Sequence, residues 1–99
     1  IHEAFANRRE IILERLQEIP NISVNTPYGA FYVFVDISSL MNDSYQFVEE
    51  LIDEERVAGV PGDVFGEAGK GFVRFSYANN ASTIRDAMDR LNRFVANID

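Results

Sequence analysis

A chain that contains the run Phe72-Val73-Arg74-Phe75-Ser76-Tyr77 must build a sheet around one arginine. Every residue of the run except Arg74 and Ser76 is β-branched or aromatic, so the run is predicted to be a strand. A guanidinium flanked by Phe72, Val73 and Phe75 is costly to bury unless an anion meets it. Its planar fork suits a carboxylate held by two parallel hydrogen bonds. Two kinds of anion satisfy that demand. One is an internal acid such as Asp36, Asp63 or Glu67, in a structural ion pair; the other is the carboxylate of a ligand.

At 99 residues the chain is expected to form a single domain, 1–99, with one core. Nine basic against sixteen acidic residues leave a formal charge of −7, which disfavours nonspecific binding to nucleic acid or to an anionic membrane. No apolar run approaches membrane-spanning length. With no cysteine there is neither a disulfide framework nor a thiolate zinc site, which is compatible with the cytoplasm. Ile1 is not an initiator methionine and no signal core follows it, so the chain reads as a piece of something longer.

The expected elements run helix, strand, strand, helix, strand, strand, helix. A first helix spans about His2 to Glu18, with Phe5, Ile12, Leu16 and Ile19 on one stripe and Pro20 as its stop. Ile22 to Val24 is a short strand, and Thr26-Pro27-Tyr28-Gly29 supplies a turn. The apolar run Ala30 to Ile37 follows, expected to be central in the sheet and covered on both faces. Asp43 or Ser44 can cap a second helix whose apolar stripe is Phe47, Val48, Leu51 and Ile52, ending near Glu55 or Arg56. The acids Glu49, Glu50, Asp53, Glu54 and Glu55 read as a solvated face. Val57 to Val60 is a strand, Pro61-Gly62 a turn, and Asp63 to Gly71 a glycine-bearing loop. That loop has neither the Walker spacing nor the order G-x-G-x-x-G. Asn79, Asn80 and Ser82 are capping types ahead of a last helix running to about Asn97. This order predicts an α+β two-layer sandwich, a small, mainly antiparallel or mixed sheet packed with helices.

Four phrases carry a resemblance: a leading helix with Arg8-Arg9, then IPNISVNTPYGAFYVFVDIS, then VPGDVFG, then GFVRFSYA. Together they resemble the carboxy-terminal small domain of the fold type I, pyridoxal-phosphate-dependent aminotransferases of class I/II, over nearly the whole chain. In that family the arginine of R-x-S-[YF]-A binds the α-carboxylate of the amino-acid substrate, and the matching position is Arg74. The aromatic after Gly-Ala in P-x-G-A-F-Y lies near the substrate side chain, which points to Phe31; plain core packing of Phe31 and Tyr32 is the alternative.

The resemblance implies amino-acid and 2-oxo-acid substrates, and pyridoxal 5'-phosphate carried by a lysine of a large domain absent from this chain. It also implies a homodimeric cytoplasmic enzyme. The sole lysine here, Lys70, lies outside any match to the cofactor-lysine motif, so the chain is expected not to be catalytic alone. Two other readings compete: a stand-alone amino-acid-binding regulatory module, and a scaffold piece in which Arg74 serves an internal ion pair.

Overall fold

The structure, a computed structural model, describes residues 3–27 and 30–98, the side chains of 3–5 excepted. The Phe5 side chain, His2 and the Tyr28-Gly29 half of the expected turn lie outside the described residues. Helix α1 is Glu3–Gln17, strand β1 Ser23–Asn25, β2 Tyr32–Asp36, helix α2 Ser44–Glu55, β3 Val60–Pro61, β4 Phe72–Ser76 and helix α3 Ala81–Ala96. Two short 3-10 helices, Gly62–Phe65 and Glu67–Gly69, occupy the loop between β3 and β4.

The four strands form one antiparallel sheet in the order β1-β2-β4-β3. Its α+β character is as expected. Because side chains alternate across a strand, β2 and β4 each split into two sets. Val33, Val35 and Ile37, with Val73, Phe75 and Tyr77 beside them, are buried against the helices. Ile12 and Leu16 of α1, Phe47 and Leu51 of α2, and Ile84, Met88, Leu91 and Phe94 of α3 complete that core. Phe47 and Phe94 meet edge to face, with ring centroids 5.1 Å apart. Each such fully buried side chain contributes about 1.5–3 kcal/mol of apolar transfer, so one helical layer on one sheet face supplies the core.

The other sheet face corrects an expectation. β2 is central, but it is not covered on both sides: Tyr32 is 36% exposed, and Phe34 and Asp36 are only half-buried. The apolar run is continuous because its second set of side chains gathers around Arg74 instead of facing a second helical layer.

The helix ends follow their caps. The Asp43 carboxylate accepts from the amides of Tyr45 at 2.9 Å and Gln46 at 3.3 Å, and the Asn80 side-chain oxygen accepts from the Thr83 amide at 2.9 Å. α2 closes on Arg56, which takes the left-handed conformation with φ 59°. Strand β3 begins at Val60 rather than Val57, since Val57 is drawn into the core instead. Among the described residues no helix is long and apolar enough to cross a membrane.

Glu55 is a second correction, because it is buried at the end of α2 and not part of a solvated face. Arg93 of α3 donates from Nε to both of its carboxylate oxygens, at 2.9 and 3.1 Å, while Arg90 donates to the Glu55 backbone carbonyl at 2.9 Å. The hydrogen bond from Arg93 lowers the Glu55 carboxyl below its ordinary value of 4.5 against the opposing effect of burial, and the charges of Arg93 and Arg90 add to the lowering. A carboxyl depressed in the folded state contributes stability that is full above its unfolded pKa and lost as pH falls through the folded one. Acid melts of the chain should therefore lose stability below about pH 4.5. Glu55→Gln should show a shallower loss over that window. An identical pH profile for the variant would mean the α2–α3 pair contributes nothing to acid sensitivity.

Candidate functional site

Arg74 lies on the open face of the sheet, at the middle of β4. Its cross-strand neighbours are Phe34 on β2 and Val60 on β3. By the same alternation, Tyr32 and Phe34 stand on its side of the sheet. The fourth member comes from the loop. After β3 the chain turns through Gly62–Phe65 and back through Glu67–Gly69, which brings Phe65 over the sheet, edge to face with Phe34 at a centroid distance of 6.1 Å.

That return depends on two glycines meeting backbone to backbone. A Cβ at Gly62 would stand 2.1 Å from the Gly69 carbonyl oxygen and 2.8 Å from that of Phe72; one at Gly69 would stand 2.1 Å from the Gly62 oxygen. Only residues without a Cβ permit the approach. Asp63 secures the loop from the far side by accepting the hydroxyl of Ser44, at the first turn of α2.

The guanidinium carbon of Arg74 sits 4.0 Å from the Tyr32 ring centroid and 4.6 Å from that of Phe65. No acid pairs with it among the described residues. Two of the acids proposed as internal partners are engaged elsewhere: Asp36 accepts from the amide and hydroxyl of Ser38, at 2.9 and 2.6 Å, and Asp63 from Ser44. The internal ion pair is thus absent at those positions. An aromatic face attracts the cation but cannot satisfy a fork of five N–H donors. Because no buried side-chain nitrogen among the described residues lacks a partner, the fork reaches the surface. An open cleft of about 260 Å³ adjoins it, lined by Asn25, Pro27, Phe34, Phe65 and Phe72 among others. A half-buried cation flanked by rings, with its donors unspent, is suited to binding a carboxylate in bidentate fashion.

Phe31, the other residue singled out from the sequence, stands one position before β2 and is 39% exposed. Its ring meets that of Tyr77 at 6.4 Å and 70°. Tyr77 also fixes the segment twice: its amide donates to the Phe31 carbonyl at 3.0 Å, and its hydroxyl donates to the Ala30 carbonyl. The aromatic residues at the guanidinium are thus Tyr32 and Phe65, which sequence reasoning did not assign there. Strand parity with Arg74 was a signal for Tyr32. For Phe65 there was none, because its position depends on the loop's return.

Lys70 caps the second 3-10 helix and is exposed, beside a separate cleft of about 310 Å³ shared with Asp63, Gly66 and Glu67. An acidic, solvent-facing position does not fit a lysine that must carry pyridoxal phosphate in a desolvated pocket.

A family model described as aminotransferase class I and II matches residues 1–91. The chain is 42% identical over 89 residues to the aspartate aminotransferase of Pyrococcus horikoshii, covering 90% of this chain and 23% of that protein. It is 40% identical over 89 residues to the aromatic-amino-acid aminotransferase 2 of Thermococcus litoralis, with 90% and 23% covered. Among solved structures, an aromatic aminotransferase from Pyrococcus horikoshii superposes with a TM-score of 0.88 at 38% identity, over 95% of this chain and 25% of that one. The chain spans about a quarter of the length of the curated relatives it matches.

Proposed function

Given that the chain belongs to the aminotransferase class I and II family, we propose that it is the carboxy-terminal small domain of an enzyme that moves an amino group between an amino acid and a 2-oxo acid. Arg74 is the anchor for the substrate α-carboxylate in this reading, and Phe31 lies near the substrate side chain. The observation that carries it is a guanidinium on the open sheet face with two aromatic neighbours, no acid partner among the described residues, and its donors at the surface. Holding the carboxylate by a rigid fork fixes the orientation of the substrate Cα, so the contribution of this chain is positioning.

The family implies pyridoxal phosphate, which supplies an electron sink for the bond broken at Cα. Lys70 does not fit as its carrier, so we assign the cofactor to a large domain outside this chain. The same reading carries a homodimeric, cytoplasmic enzyme. A stand-alone amino-acid-binding module is disfavoured by the cleft beside Arg74, which is open to solvent, whereas small-molecule sites enclose most of their ligand's surface. A second wall must come from elsewhere.

The test is amino exchange by the full-length protein loaded with pyridoxal phosphate. With a panel of amino acids and 2-oxo acids, transfer should be seen for free amino acids and fall steeply for the matching carboxamides, which lack the anion that Arg74 requires. Equal turnover of acid and amide would sink the anchor role, and no transfer with any donor would sink the enzyme reading.

A further inference from the structure

Phe65 and Tyr32 do more at Arg74 than fill space. Arginine is flexible, and fixing its side chain costs on the order of 2 kcal/mol of rotamer entropy at each binding event unless the folded protein has already done so. Here two ring centroids lie 4.0 and 4.6 Å from the guanidinium carbon. Phe34, directly across from Arg74 in the sheet, braces the Phe65 ring edge to face. Tyr32 is held by the strand itself, in register with Ser76. Phe65 is held by the glycine-to-glycine corner of its loop. Both rings are anchored before any ligand arrives, although Phe65 is 48% exposed and Tyr32 36%. Neither belongs to the buried core of this domain, so their placement beside the cation is not set by that core.

We propose that Phe65, with Tyr32, is a positioning residue that holds the Arg74 guanidinium by cation–π contact so that its N–H fork is presented to the substrate carboxylate already oriented. The proposal rests on the carboxylate-anchor reading of Arg74. Phe65 acts through Arg74 and need not touch the substrate. It sits on the loop between β3 and β4, so that loop sets how well the anchor is preorganised.

The experiment is calorimetric titration of the full-length, cofactor-loaded enzyme with the 2-oxo acid derived from its best amino donor, alongside a melting curve for each variant. Phe65→Leu should weaken binding roughly tenfold, as expected for losing one well-formed cation–π contact in a partly desolvated site, with little change in Tm. Phe65→Tyr, which keeps the ring face, should restore it. In an Arg74→Gln background, with no cation left to hold, Phe65→Leu should weaken binding no further. A persistent loss there would show that Phe65 contacts the ligand directly and would overturn the positioning role. If Arg74→Gln weakens binding but Phe65→Leu does not, the clamp is wrong and the anchor stands. If neither variant changes binding, the anchor reading fails and the clamp with it. A loss that Phe65→Tyr does not rescue, accompanied by a lowered Tm, would make the effect one of folding and also overturn the proposal.

Discussion

Arg74→Lys in the full-length enzyme should lower kcat/KM for its best amino-acid substrate by roughly two orders of magnitude or more, with Tm nearly unchanged. Lysine keeps the charge and loses the fork, and about 3 kcal/mol of oriented, charge-assisted bonding corresponds to that factor. Tm should hold because Arg74 has no internal acid partner among the described residues, so no buried anion is left behind. A structural ion pair would reverse both outcomes: a lowered Tm and near-normal kinetics in the folded fraction. Measuring the two quantities on one variant separates these cases, and an unchanged kcat/KM would sink the assignment.

Gly62→Ala should be among the most destabilising single substitutions in the chain. The new Cβ would meet the carbonyl oxygens of Gly69 and Phe72 at 2.1 and 2.8 Å, and both are backbone, so nothing flexible can give way. Overpacking against a fixed main chain costs about 3 kcal/mol, which for a domain of this size lowers Tm by on the order of 12 °C or more. Gly66→Ala makes a useful contrast. Nothing lies within 4 Å of a Cβ there, so only its φ of +112° opposes the change, a cost nearer roughly 1 kcal/mol. If Gly62→Ala melts within a few degrees of the parent, the corner relaxes more easily than the geometry indicates. If it unfolds as expected, Phe65 should also be displaced from Arg74.

What could be read from the sequence was what depends on neighbours along the chain. The strand Phe72–Ser76 announces itself by composition, the starts of α2 and α3 by Asp43 and Asn80, and the oddity of Arg74 by the residues on either side. What could not be read depends on apposition in space. Glu55 looked like one acid among several until Arg93, 38 positions away, met it across two helices. Phe65 has no local periodicity that would bring it to Arg74; its place follows from Gly62 and Gly69 touching. The half-open sheet was hidden because a continuous apolar run looks the same whether its second face meets helices or gathers around a cation. Tyr32 and Phe34 belong to the second kind.

The pairing of β2 with β4 also bears on how the chain acquires its shape. β1 and β2 are neighbours in sequence and can zip early, but Phe34 and Arg74 are about forty positions apart, so their ladder forms only after α2 and the glycine loop have closed the gap. During synthesis the apolar stretch Tyr32–Val35 therefore waits with one unpaired edge until β4 emerges, the state in which a nascent chain is most exposed to wrong pairing with another copy. The strand that carries the carboxylate anchor is the same one that retires this hazard. A chain cut short before Phe72 would lose the partner strand of β2 together with its site.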